Sequence, residues 1–454
     1  MNPALLKEIL EAIKANESTS AYNQKVFEIL EGGLLNHIVE SLAQELSEKN
    51  LKDAITRAAP INVLRKIIDK LTKLYSQDPT RTTDNPADQE LVDFYTKQMR
   101  LNHHMNNGNS NFNSYKNTSL EIYLDGNKLQ TRALPSSQFM PYSNNLINPL
   151  IPTHMVKFMG KTSDNKNLFW VYSDEEFHVI DDHGGSYKMD EDDVNPYGII
   201  PFTYVNRSEY SLIPHIDSDT YQMAVLIGKL LVDINFSSKY LANPILFGVD
   251  LNMDQLERSP NIFWNLKSED DKKPEIGVVK AEADIAAQME NVIQQVSLWL
   301  QTRNIRPGTV GSVSGDKAAS GISLVIQQMD TTEDVNRQKG YFERAEQDFW
   351  VRLATIHNYL AAAGKLNNRA MFTNPELLEV SIEYQSAEVI EDRTTVIERT
   401  VVQLQAGILS KRSAIEQLYP KLSEQEIDMK LDELKNEQPA FNIMVDDGIN
   451  KETV

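Results

Sequence analysis

One segment constrains this chain more than any other. Residues 217–243, DSDTYQMAVLIGKLLVDINFSSKYLAN, carry a helical pattern that is apolar on nearly every side in its middle. A helix with one wet face keeps a polar stripe, so this one must be packed from several directions. It would run about 40 Å at roughly 1.5 Å per residue, and Asn243-Pro244 ends it. Its most apolar stretch, Met223 to Phe236, is interrupted by Gly228, Lys229 and Asp233. That falls short of the roughly 18 uninterrupted apolar residues of a membrane span. So much apolar surface on a monomer's exterior would be costly, and the pattern predicts association of copies.

The rest of the chain arranges itself around that helix. Leu5, Ile9, Leu10 and Ile13 recur at helical spacing, as do Leu64, Ile67, Ile68, Leu71 and Leu74, so residues 3–80 should be helical. Residues 102–117, NHHMNNGNSNFNSYKN, are Asn-rich and predict a polar loop. Residues 118–206 change character. SLEIYLDGNKLQTRAL places Asp-Gly between alternating segments, a hairpin signal, and NLFWVYSDEEFHVIDDHGGSYKM and IIPFTYV predict further strands. After the apolar helix, residues 244–280 spell a small β-α-β-β insert with a charged loop, SEDDKKPE. A second helix is expected from about Ala283 to Arg303, a Gly/Ser-rich loop over 303–321, and a very long helix to about Ala363. A strand, LLEVSIEYQ, and two tail helices follow. One ends at Gly407, and the other starts at a capping box from Ser423 to Glu426. The fold class is α+β, mainly helical.

Composition narrows the chemistry. Lys plus Arg number 45 and Asp plus Glu 65, a net charge of −20. That disfavours a protein that grips nucleic acid or an anionic membrane, though not one past which DNA slides. With no cysteine, disulfides, thiolate metal sites, iron–sulfur clusters and cysteine nucleophiles are excluded. The N-terminal MNPALLKEILEAIKANES lacks the basic segment and apolar core of a signal peptide.

No motif for catalysis emerges. The glycine loop does not make a phosphate cradle, because Lys317 follows Asp316 rather than Gly, and Ala318 follows it. His178, Asp181, Asp182 and His183 have metal-binding chemistry, but their setting in a turn-rich hairpin predicts a solvated acidic loop. His103-His104 is taken as loop, its adjacent side chains diverging. No HExxH or GxSxG spacing is present. The expectation is a non-enzyme with no catalytic residue, no metal and no cofactor.

The order of elements then carries more weight than any single motif. IIPFTYVNRSEYSLIPHIDSD (199–219), LANPILFGVDL (241–251), SGISLVIQQMD (320–330) and the C-terminal 396–438 together resemble the portal proteins of tailed bacteriophages. The resemblance runs over roughly residues 55–440. It implies a wing over 1–216, stem helices over 217–243 and 283–303, and a clip over 244–282. A tunnel loop would occupy 304–319, the long helix and a wing strand 320–388, and a helical crown 389–454. It also implies about twelve copies in a ring at a capsid vertex of the virion, assembled in the host bacterial cytoplasm. The implied partners are the major capsid protein, the terminase large subunit, neck or adaptor proteins, and double-stranded DNA passing through the channel. Arg303, Arg306 and Lys317 become candidates to face that DNA, and Lys267, Lys272 and Lys273 candidates for partner docking on the clip. The alternatives are a non-conducting neck or scaffold protein and, from a different class, a metal-dependent hydrolase built on His178 and His183.

Overall fold

A computed structural model describes residues 2–56, 61–187, 193–215, 217–242, 245–249, 275–279, 284–303, 305, 332–367, 370–384 and parts of 397–431. Two compact units divide the chain at residues 385 and 386.

The first unit opens with helices α1 (Pro3–Ala15), α2 (Glu17–Glu28), α3 (Leu34–Ala43), α4 (Glu48–Ile55) and α5 (Val63–Leu71). Asn62 caps α5 by accepting the Arg65 N–H at 3.0 Å. Strand β1 (Thr80–Thr82) and helices α6 (Pro86–Gln98) and α7 (Leu101–Tyr115) follow. Residues 102–115 are therefore helical where their composition predicts a loop. Tertiary contacts override the weak propensity of asparagine. Leu101, Met105, Phe112 and Tyr115 bury one face of α7. Asn109 and Asn113, also buried, donate to Gln338 Oε1, the former at 2.6 Å. Nor do His103 and His104 diverge: their rings meet edge to face, with centroids 5.3 Å apart.

The expected β-rich stretch is two antiparallel sheets. Strand β2 (Asn117–Asp125) lies between β3 (Lys128–Leu134) and β9 (Phe202–Asn206). The Asp125-Gly126 turn closes the β2–β3 hairpin with Gly126 at φ +60°, where a side chain is disfavoured. The second sheet runs β4 (Phe139–Tyr142), β5 (His154–Lys161), β6 (Asn167–Tyr172), β7 (Phe177–Asp181) and β8 (Ser186–Tyr187) in sequence order. Ile9 of α1 packs on this sheet with Val156, Val171 and Ile180. Glu121 of β2 ties the sheets together, accepting from Lys157 of β5 at 2.6 Å and Arg132 of β3 at 2.5 Å.

Helix α8 (Ser218–Ala242) leads to β10 (Ile245–Val249), which pairs antiparallel with β11 (Glu275–Val279), and α9 (Ile285–Thr302) returns. The middle strand and helix expected within 244–280 lie outside the described residues. Helix α8 is enclosed by α2, α3, α5 and α9 of its own chain. At Gly228, a Cβ would drive into Ile38 Cδ1 of α3, so a glycine is what lets the two helices touch. Among its described side chains, Leu226 is the one large apolar group left exposed. The apolar pattern is thus explained within one subunit, and by itself it is no argument for association of copies.

Helix α10 (Thr332–Ala362) runs under β9 and α7, burying Phe342, Phe349, Trp350, Leu353 and Leu360. Strand β12 (Ser381–Glu383) then pairs with β1, so the expected strand from 377 is shorter than its alternation implied. Beneath that pair, Arg81 donates to Glu346 Oε2 at 2.5 Å, both buried, and Tyr75 donates to Glu346 Oε1 at 2.7 Å.

In the second unit, helix α11 (Lys411–Leu418) starts at Ser410, whose Oγ accepts the Ser413 N–H at 3.1 Å. The capping box at 423–426 lies outside the described residues, and residues 427–431 are helical.

Candidate functional site: the base of the helix pair

Helices α8 and α9 begin and end at one place. Asp217 and Asp219 stand at the N-terminus of α8, where the helix dipole favours negative charge. Arg303 caps the C-terminus of α9, where it favours positive charge. Because the helices are antiparallel, these charges meet. Arg303 Nη2 lies 3.2 Å from Asp217 Oδ2 and 3.3 Å from Asp219 Oδ1, and it also donates to the Thr220 hydroxyl. Trp299 Nε1 donates to Asp219 Oδ2 at 2.9 Å, and the guanidinium stacks 4.7 Å from the Trp299 ring centre. Each contact spans some eighty residues of sequence, so together they close the pair at its base.

The body of the protein grips the same point. Lys116 donates to Asp217 Oδ1 at 2.7 Å. Tyr22 donates to the Asp217 carbonyl at 2.5 Å and accepts the Tyr221 N–H at 2.9 Å. Burial pushes the Tyr22 hydroxyl up to about 12, with Asp219 adding to the effect, so it stays a donor at neutral pH.

A polar cavity of about 470 Å³ lies here, lined by Tyr22, Lys116, Asp217, Arg303, Ile305 and Asp334 among others. Arg207 donates to Asp334 Oδ1 at 2.7 Å across it. Ile305 is where the chain leaves α9, and Asp334 belongs to the first turn of α10. Both flanks of segment 306–331 therefore sit on one cavity.

Of the candidate site residues, the structure places Arg303, in this ion-paired cluster. Arg306, Lys317, Lys267, Lys272 and Lys273 lie outside the described residues, as does the glycine loop. Sequence reasoning missed Trp299, Tyr22, Lys116, Arg207 and Asp334. Only the Ser-Asp helix start hinted at the acidic half of the base.

The His178–His183 cluster differs from a solvated loop: His178 is buried, and so is Asp181. It accepts the His183 and Gly185 N–H groups at 3.0 and 2.6 Å and pairs with Lys166 at 3.0 Å. Burial opposes its ionisation, but Lys166 and those N–H groups outweigh burial and hold the carboxyl below its ordinary value. Asp181, Asp182 and His183 stand close enough to share an ion. However, Asp181 already organises the turn, and His183 Nδ1 lies 2.7 Å from Asp182. His178 is turned instead towards Glu176, at 2.7 Å.

The family model described as phage portal protein, SPP1 Gp6-like, matches residues 7–440. The chain belongs to this portal family. Portal proteins are structural components of phage-type particles, which agrees with a site made of ion pairs and packing. Two solved structures are similar at a distance. One is a chain of the virion of a native gene transfer agent particle, 11% identical, with TM-score 0.35, covering 85% of this chain and 98% of that one. The other is a chain of the neck of an empty gene transfer agent particle, also 11% identical with TM-score 0.35, covering 80% and 91%. No curated protein matches the chain. Among the described residues, no helix of this portal-family chain is long and apolar enough to cross a membrane.

Proposed function

We propose that about twelve copies of this chain form a ring at a capsid vertex, with a central channel for genome packaging and ejection. The observation that carries this reading is the closed base of the helix pair. Helices α8 and α9 are locked by Arg303, Asp217, Asp219 and Trp299, paired strands β10 and β11 stand at the opposite end, and segment 306–331 starts and finishes at that base. In a portal this plan corresponds to a stem, a clip and a tunnel loop on a wing. The clip, with Lys267, Lys272 and Lys273, would dock the terminase large subunit and later the neck. The wing would meet the major capsid protein.

The charge fits such a channel. A chain of net −20 repels double-stranded DNA and prevents sticking, while Arg306 and Lys317, repeated around a ring, would touch phosphates briefly. Arg303 is committed to the stem base, where its charge is met by two carboxylates. Electron microscopy of the purified protein should show rings with a central hole, with a mass roughly twelve times the 51.6 kDa of one chain. A monomer by light scattering at every salt and protein concentration would sink the reading. Closed rings without a through-hole would favour the non-conducting neck or scaffold protein.

A further inference from the structure

The connection between β4 and β5, residues 143–153, contains no charged residue on a chain of net −20. Leu146 is 97% exposed and Ile147 96%, and Leu150 and Ile151 beside them are exposed as well. Single exposed aliphatics are ordinary, but a run of them points to a contact surface. The turn holds them outward. Asn145 Oδ1 accepts the Ile147 and Asn148 N–H groups at 2.9 and 3.0 Å, and Thr153 Oγ1 accepts the Asn144 N–H at 3.1 Å.

Two cavities flank this tip, and Pro152, Ile200 and Arg352 line both. One, of about 350 Å³, is mixed in character, with Leu150, Ile151, Met155 and Phe202 in its wall beside Asp348 and Arg352. The other, of about 630 Å³, is edged by Asp174, Glu175 and Glu176. Asp174 and Glu175 are exposed, and their carboxylates form no ion pair among the described residues. Arg352 does not cancel them, being held by Asp348 at 2.6 Å and by the Ile200 carbonyl at 2.6 Å. His154 also lines this cavity while only 7% exposed. Its Nδ1 lies 3.0 Å from Thr153 Oγ1, and its Nε2 has no hydrogen-bond partner among the described residues. An apolar centre with a polar rim is how protein interfaces are built.

We propose that this surface docks a different protein, whose contact presents aliphatic side chains flanked by lysine or arginine. The apolar tip and its neighbouring cavity take the aliphatic groups. Asp174 and Glu175 take the cations. A second copy is the poorer occupant, because an acidic chain would set its own charge against this acidic rim. The surface lies within the 1–216 segment that the proposed function assigns to capsid contact, and its test does not depend on ring formation, because peptide binding needs only a folded chain.

The test uses the full chain and a fluorescein-labelled peptide, Arg-Leu-Leu-Arg-Lys, followed by anisotropy near physiological salt. A peptide with glutamate at the basic positions is the comparison. The basic peptide should bind at least about tenfold more tightly than the acidic one, a difference of roughly 1.4 kcal/mol. Leu146→Ser with Ile147→Ser, which removes the apolar contact without adding charge, should weaken it by about tenfold or more, and these side chains are too exposed to matter for folding. Asp174→Asn with Glu175→Gln should weaken it several-fold, whereas Asp69→Asn on α5 should leave it unchanged. Equal binding of the two peptides overturns the proposal, as does binding indifferent to the tip and rim substitutions. If Leu146→Ser with Ile147→Ser abolishes self-association while peptide binding persists, the surface belongs to a second copy and the proposal fails.

Discussion

Replacing Gly228 with alanine is expected to destabilise the protein, against the usual preference of helices. Gly228 lies inside α8, where alanine favours the helix by roughly 0.5–1 kcal/mol. The added methyl would penetrate Ile38 Cδ1 and crowd Cγ1 at 2.8 Å. Ile38 is fully buried on α3. Overpacking of this kind costs about 1–3 kcal/mol, so the net loss should be about 0–2.5 kcal/mol. Ile38→Val removes the closest atom at its own cost of about 0.5–1.5 kcal/mol. In the double variant the two changes should cost less than their sum, by about 1 kcal/mol, because the methyl of one occupies the space vacated by the other. Urea titrations followed by tryptophan fluorescence can measure this, since Trp299 belongs to the same core as Ile38. A higher midpoint for Gly228→Ala, or strict additivity in the double variant, would refute the argument that the glycine exists for close approach.

Three further outcomes are expected. At the base of the helix pair, Arg303→Gln should lower stability by about 1–2 kcal/mol and Arg303→Lys by less, because lysine restores the charge but not the fork; equal losses would mean the fork is irrelevant. Arg81→Met should cost about 3–5 kcal/mol by stranding Glu346 without its cation, and adding Glu346→Leu should recover much of it; no recovery in thermal melts would show that packing, not charge, decides the site. Burial holds the His357 and His104 imidazoles below the ordinary value, so the native state prefers them neutral while the unfolded chain takes up protons near about 6.5. Stability should therefore fall as pH drops through about 6.5 and keep falling until the native rings protonate. His357→Gln should flatten urea midpoints between neutral and mildly acidic pH, and an unaltered slope would count against the assignment.

What could be seen in the sequence was what repeats locally. The apolar spacing of 217–243 and 283–303 anticipated Ser218–Ala242 and Ile285–Thr302 closely, and Asp125-Gly126 located its hairpin. What could not be seen was pairing at a distance. The amides of α7 look like loop residues until Gln338, more than two hundred positions on, receives Asn109 and Asn113. Arg303 was a candidate to face DNA, and its ion pairs were invisible because Asp217 and Asp219 precede it by more than eighty residues. Asp181 belonged to an acidic run by composition, yet only the fold brings Lys166 and the backbone of Gly185 round it. Local pattern sets where elements begin and end, and it says little about which polar groups they will bury.

The cavity shared by Ile305 and Asp334 has an evolutionary consequence. Because the two flanks of segment 306–331 are anchored at one spot, its length is decoupled from the geometry of the body. Closing a longer excursion between fixed ends costs only about 0.6 kcal/mol for each doubling of its length. Insertions and deletions between Ile305 and Asp334 should therefore leave α8, α9 and α10 as they are. Among related chains, this is where length should drift fastest while the residues at the anchor hold still.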